Sequence, residues 1–184
     1  MTLLVLGLCL FIAIHLFPAF QTKRRDLIER FGELKYKGVF ALVSLASFAL
    51  ILIGKGSAPF VEIWQPPQML SIVTKLLMLP TMILLVAAYI PSNFKRKIRH
   101  PMLMAVKVWA LGHLLINGDL ASIILFGSFL AFAVLSMISA NRRAEWVKPA
   151  EKTIFLDILV ILVGGGVYAA VGMHHLQLFG VPIM

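Results

Sequence analysis

The sequence predicts an all-α, polytopic membrane protein with about six transmembrane helices and a tight hairpin between the fourth and fifth. Three observations predict it. The first is composition: 60% of the 184 residues are hydrophobic, 14% are charged, and the mean hydropathy is +0.95. A soluble domain runs near 45–50% apolar and about 25% charged. The second is spacing, because the apolar residues fall into runs near the roughly 20 residues that a helix needs to cross the hydrocarbon core. The third is charge placement: the cations sit in short loops between those runs and alternate from loop to loop. Lipid-facing helices satisfy their backbone groups internally and need not hide apolar surface. A single domain over residues 1–184 is expected.

The elements follow in order. Leu3–Phe20 is the first helix. No basic residue precedes it, and Lys23, Arg24 and Arg25 follow it, so it reads as a retained helix and not a signal peptide. Gln21–Lys37 is polar and mixed in charge. Val39–Ile53 is the second helix, slightly extended by Lys37–Gly38 and Gly54. Lys55–Pro67 is a loop rich in glycine and proline. Leu70–Ile90 is the third helix, with a kink expected at Pro80. Pro91–His100 is a short basic loop.

Pro101–Ile116 is the fourth helix, and proline suits its first turn, where a missing N–H costs nothing. At about 1.5 Å per residue this helix is only about 24 Å long, so it is expected to leave the next turn partly sunk. That turn is Asn117–Gly118–Asp119. Leu120–Ala140 is the fifth helix, Asn141–Lys152 is polar, Thr153–Gly172 is the sixth helix, and an uncharged tail ends at Met184. Gly127 with Ala131, Gly165 with Ala169, and Gly166 with Ala170 are four apart and predict close helix contacts.

The net charge of +9 suggests a nucleic-acid footprint until the charges are located. The first loop holds Lys23, Arg24, Arg25, Arg30, Lys35 and Lys37. The third holds Lys95, Arg96, Lys97 and Arg99, and the fifth holds Arg142, Arg143, Lys148 and Lys152. The second loop holds only Lys55; the fourth loop and the tail hold no lysine or arginine. Cationic loops stay cytoplasmic, so both termini are expected outside. The partner of this chain is then the lipid bilayer, and nucleic acid is not expected.

Motifs of common enzymes are missing: there is no GxSxG, HExxH or Walker loop. Gly164–Gly165–Gly166 lies in mid-helix with no basic neighbour and is no phosphate cradle. Cys9 cannot form an intramolecular disulfide and reads as a small buried apolar residue.

Ionisable groups within the bilayer are functional candidates. They are His15, Lys75, Lys107, His113 and Asp157, with His174 and His175 near the outer end of the last helix. Lys75 is near enough to the outside to snorkel. Lys107 and Asp157 lie at similar depth and are expected to pair. His15 and His113 are too short to snorkel. Neutral imidazole either packs through a hydrogen bond or ligates a metal or haem iron. Their depths differ by about 10 Å in an upright arrangement, so tilt or a shift at Pro18 must bring them together if both bind one iron. His174 or His175 matches His113 better in depth. His100, heading the fourth helix, is either an interfacial residue or an anion contact at a helix N-terminus. Asp119 either shapes its turn or holds a neighbouring imidazole. Trp64 and Trp146 read as interfacial anchors.

Several segments resemble one family. They are Ile14–His15–Leu16–Phe17–Pro18; Gly32 to Phe40 followed by Leu42–Val43–Ser44–Leu45; Arg99–His100–Pro101–Met102; Lys107 to Leu115; and Asn117–Gly118–Asp119–Leu120–Ala121–Ser122. Together they resemble the NnrU family of bacterial membrane proteins, from the first helix to about Arg143. The resemblance implies a multi-pass protein of the bacterial inner membrane linked to nitrite and nitric oxide metabolism in denitrification, and the loop charges put both termini on its periplasmic side. The family is related to the plant ζ-carotene isomerases, which carry haem b on histidines. That relation implies His15 and His113 as haem and metal ligands. Arg99 and His100 at the head of the fourth helix, and Asn117 and Asp119 in the turn after it, are further candidate cofactor-binding positions. Through Arg99–His100–Pro101 the chain is also distantly similar to isoprenylcysteine carboxyl methyltransferases. Those enzymes have an acidic pair on a later helix, where this chain offers only Asp157, so S-adenosylmethionine is not expected.

Three function classes follow. The first is a haem-b-binding protein with a redox or nitric-oxide-linked role. The second is an enzyme acting on a hydrophobic small molecule, a carotenoid-type isomerase or a methyltransferase, which predicts an apolar cavity beside His113 or His100. The third is a non-catalytic assembly factor for a respiratory complex, whose protein partner the sequence does not name.

Overall fold

The computed structural model describes residues 1–180, and its regular structure there is helical. Helix α1, Thr2–Leu16, runs into a 3-10 turn at Phe17–Ala19 that contains Pro18. Then come α2 (Gln21–Phe31), α3 (Glu33–Gly56), α4 (Met69–Tyr89) and the single turn α5 (Phe94–Lys97). They are followed by α6 (Pro101–Ile116), α7 (Leu120–Arg143), α8 (Ile154–Met173) and the short α9 (His175–Phe179). Residues 181–184, the end of the expected tail, lie outside the described residues. Among the described residues five helices are long and apolar enough to cross a membrane: α1 with its 3-10 turn, α3, α4, α7 and α8. The sixth apolar helix, α6, has 16 residues and is shorter than a standard span.

The polar stretch after α1 departs from the expected loop, because most of it is helical. Arg25 and Glu29 are paired one turn apart in α2 at 3.8 Å, and Gly32 ends that helix at φ 85°. Only glycine takes that conformation without strain. Helix α3 then starts at Glu33 and not Val39. Its first turn carries a Lys37–Glu33 ion pair of 2.8 Å, an i,i+4 contact that favours helix in a polar segment.

The chain forms two compact units. The first comprises Met1–Ile63 and Asp119–Ser128. Here α1 packs along α3, with Leu4, Leu8, Ser47 and Ile51 buried. Two glycines set the distance of approach. A Cβ on Gly54 would run into the Leu4 backbone nitrogen, and one on Gly7 would lie 2.8 Å from Ile51 N. With no side chains there, the two backbones touch and gain dispersion contacts, the main attraction between helices in lipid. The Ser47 hydroxyl is satisfied within its own helix by donating to Ser44 O at 3.0 Å.

The second unit comprises Trp64–Gly118 and the described residues from Phe129 onward. Helix α4 is its centre. Thr74 Oγ1 donates to Gly112 O of α6 at 2.8 Å, a buried bond between helices. On the α8 side, a Cβ on Gly164 would lie 2.6 Å from Ile83 Cα. Helix α4 continues through Pro80, and Thr81 Oγ1 donates to Leu77 O at 2.8 Å just beside it. Helix α7 belongs to both units: its residues to Ser128 count with the first and those from Phe129 with the second.

Four expectations are corrected. Gly127, Gly165 and Gly166 have nothing within 4 Å of a built Cβ, so the close contact on α8 is made by Gly164. Lys107 and Asp157 form no ion pair among the described residues. Asp157 Oδ1 instead accepts from Asn93 N and Oδ2 from Asn93 Nδ2, each at 2.8 Å. Two neutral N–H donors satisfy a carboxylate without the desolvation that burying a second charge would add. Cys9 is exposed on α1 instead of buried. The segment before Met184 includes α9, which the expected tail did not contain.

Candidate functional site

His15 stands in the last turn of α1. Its Nδ1 lies 2.8 Å from Phe11 O, one turn back. A carbonyl oxygen only accepts, so Nδ1 carries the proton and the lone pair is on Nε2. Metal-ligating imidazoles use this arrangement, with one ring nitrogen fixed by a carbonyl and the other coordinating. The Phe11 ring stacks on the imidazole at 4.0 Å and 24°, and Phe40 of α3 meets it edge-on at 5.2 Å.

Tyr36, Phe40 and Ser44 are four residues apart on α3, so they line one face of that helix. Tyr36 Oη and Ser44 Oγ are buried and have no hydrogen-bond partner among the described residues. Buried hydroxyls are normally satisfied, and an orphan at each end of one helical stripe is an unusual pair. An apolar groove of about 340 Å³ runs along α1, lined by Val5, Leu8, Cys9, Ile12 and Ala13 with Ile124 and Ser128 of α7. All of these groups belong to the first unit.

His113 stands in the last turn of α6, in the second unit, and has a different environment. Asn117 Nδ2 donates to His113 O at 2.8 Å, and the same amide nitrogen lies 3.5 Å from His113 Nδ1. An amide nitrogen offers only donors. At 3.5 Å that second approach is too long to fix which ring nitrogen carries the proton. Trp109 meets the His113 ring at 5.5 Å and 68°, and Phe129 meets Trp109 at 5.5 Å.

The turn Asn117–Gly118–Asp119 forms where expected, yet among the described residues Asp119 holds no imidazole. Its Oδ1 accepts from Lys55 Nζ at 2.9 Å and from Ser122 N at 3.0 Å, capping α7. Glu62 bridges to Asp119, and Leu120 N donates to Val61 O at 2.8 Å, so the loop after α3 is strapped to the start of α7. Burial pushes the Asp119 carboxyl up, but hydrogen bonds from Ser122 and Lys55 and the Lys55 charge outweigh it and hold the carboxyl below its ordinary value of 3.8. Within the second unit, Trp64 N donates to Gly118 O at 3.2 Å, and a Cβ on Gly118 would collide with the Trp64 carbonyl.

Arg99 and His100 lie at the other end of α6. His100 Nε2 meets Asn141 Oδ1 at 3.0 Å, and Arg99 donates to Ala144 O. Both are engaged with the end of α7 and its following loop. Arg96 pairs with Glu151 at 3.0 Å, and Asn93 exchanges two bonds with the Lys152 backbone. Lys75 is exposed on α4, as a snorkelling side chain would be. Lys55 is the residue that sequence reasoning passed over. It read as a loop cation, and its partner is 64 positions away.

Among the described residues no three His, Cys, Asp or Glu side chains converge on a point that would hold a metal ion. A bare ion would lack its usual three or four protein ligands there. Iron carried in a macrocycle differs, because it needs only one or two axial side chains. His15 fits that requirement in its present tautomer. A family model described as NnrU protein matches residues 3–183. No curated protein and no solved structure matches the chain.

Proposed function

The chain belongs to the NnrU family, and on that premise we propose that it is a haem-b-binding membrane protein with a redox or nitric-oxide-linked role. The observation that carries this reading is the state of His15: its Nδ1–H is held on Phe11 O, so the basic nitrogen is Nε2. When bound, haem b supplies one-electron and small-ligand chemistry at its iron. The chain's own residues do the rest. The Phe11 carbonyl fixes the imidazole and raises its basicity. Phe11 and Phe40 shield the ring from water and fill the space around it with apolar surface. The hydroxyls of Tyr36 and Ser44 are buried and would offer donors to an acidic side arm.

The experiment is an absorption spectrum of protein purified from haem-supplied cells. A Soret band is expected, and His15→Ala is expected to cut haem retention at least about tenfold, the least that losing even an outer-shell partner of a ligand costs. A preparation with no Soret band would end this reading.

The proposal includes an orientation in the bacterial inner membrane, with both termini outside. The loops holding Lys23 to Lys37, Lys95 to Arg99 and Arg142 to Lys152 then face the cytoplasm. A reporter enzyme active only outside the cytoplasm, fused after Met184, is expected to be active. Activity instead from a fusion in the Pro91–His100 loop would reverse the assignment.

The groove lends some support to a second reading, an enzyme acting on a hydrophobic small molecule. It lies on α1, however, and the only chemically reactive side chains lining it are the Cys9 thiol and the Ser128 hydroxyl. It is better suited to an apolar tail than to proton transfer.

A further inference from the structure

We propose that α2 lies along the surface of an anionic lipid leaflet, held by the exposed Leu27 and Phe31 side chains and by Lys23, Arg24 and Arg30 beside them. The proposal goes beyond the haem reading and does not depend on it.

Helix α2 stands apart from its neighbours. The 3-10 turn with Pro18 separates it from α1, and Gly32 at φ 85° separates it from α3. It has 11 residues, none of them buried. Isolated helices shorter than about 12–15 residues are marginal in water, and helices in proteins owe most of their stability to the packing of one face. The protein supplies α2 with little such packing, so another surface must. Both flanking helices, α1 and α3, are long and apolar enough to cross a membrane, which tethers α2 at each end to a bilayer surface.

The side chains of α2 suit that surface. At about 100° per residue, Leu27 and Phe31 lie about 40° apart around the helix. They are 37% and 51% exposed, and Phe20, 60% exposed, leads into the first turn. Lys23 and Arg30 lie within about 60° of Leu27 on one side, and Arg24 within about 20° of Phe31 on the other. Thr22, Arg25, Asp26 and Glu29 lie at least about 100° from Leu27. Both carboxylates are thus on the far face, where Glu29 pairs with Arg25 at 3.8 Å. Cations that border an apolar strip reach lipid phosphates while their stems stay in the apolar layer. The strip is also turned the right way. Arg24 Cζ lies 6.0 Å from the centre of the Tyr36 ring, one turn into α3, so this side of α2 points along α3 toward its apolar run. A neutral leaflet would satisfy the leucine and phenylalanine alone; an anionic one also satisfies the three cations.

The test uses the full chain with Cys9→Ala and a nitroxide on a single new cysteine, Leu27→Cys or Thr22→Cys. Each is reconstituted in vesicles of phosphatidylcholine alone or of an equimolar mixture with phosphatidylglycerol. Electron paramagnetic resonance compares collisions with oxygen, which dissolves in lipid, and with a water-soluble nickel chelate. The oxygen-to-nickel ratio is expected to be severalfold higher at position 27 than at 22, to rise with phosphatidylglycerol, and to lose that rise when Lys23, Arg24 and Arg30 are all changed to Gln. Equal ratios at the two positions would overturn the proposal. So would a position 27 shielded from both reagents, the mark of a protein partner or a second copy, or a ratio indifferent to phosphatidylglycerol.

Discussion

Gly54→Val is expected to destabilise the fold by about 3 kcal/mol or more, the upper end of overpacking costs. The obstacle is backbone. A Cβ at position 54 would lie 2.6 Å from Leu4 Cα and 2.7 Å from Leu3 C, and still closer to Leu4 N. A flexible side chain could rotate aside, but a helix backbone cannot. Helix α1 would have to withdraw along its length, exposing Leu4 and Leu8, which are 0% and 3% exposed in the intact protein. Gly165→Val is the control, since a Cβ there meets nothing within 4 Å. Thermal unfolding in detergent, followed by circular dichroism, should give a melting temperature several degrees lower for the first variant and close to wild type for the second. Equal losses at the two sites would refute the close contact of α1 and α3.

Asp119→Ala should cost about 2–3 kcal/mol. Loss of an N-cap carboxylate at a helix start accounts for about 1 kcal/mol. The rest is the loss of the Lys55 partner, discounted because the Lys55 side chain is 34% exposed and can reach water. Lys55→Met combined with Asp119→Ala should lose less than the sum of the single changes, by more than about 0.5 kcal/mol. Acid adds a second signature. The folded carboxyl is held below its ordinary value of 3.8, so its contribution is fully present above that value and is lost as pH falls through the folded one. Asp119→Asn should remove that acidic step from a plot of stability against pH. An unchanged acid limb, with additive single variants, would show that the ion pair contributes nothing.

The apolar runs were legible because hydrophobicity over about 20 residues is a property of the chain alone. The start and end of α6 and the start of α7 were found for the same reason, with Pro101 and the Asn117–Gly118–Asp119 turn as punctuation. The polar first turns of α3 were not. They depend on Gly32 at positive φ and on the Lys37–Glu33 pair, which a hydropathy reading scores as loop. Which glycine packs was also illegible. Gly164, Gly165 and Gly166 are adjacent, but each points about 100° from the last, so only the rotation of α8 decides that Gly164 meets Ile83.

The candidate site divides in the same way. His15 and His113 stood out because imidazoles are rare in apolar helices. Their difference did not, because it is made by Phe11 O in one case and by the Asn117 amide in the other. The Lys107–Asp157 pairing failed because depth was the only coordinate available. Asn93, from a different loop, took the carboxylate instead.

The shortness of α6 has a consequence for the membrane itself. Sixteen residues cover about 24 Å, against a hydrocarbon thickness of about 30 Å. Lipids beside this helix must compress, or let headgroups and water dip toward the Asn117–Asp119 turn. Each ångström of mismatch costs a fraction of a kcal/mol, so a bilayer crossed by α6 would dimple beside it. Such a dimple is relieved when two molecules share it or when the surrounding bilayer is already thin. The elastic energy of the sheet, rather than any side chain, would then bias where in a heterogeneous membrane such a helix gathers.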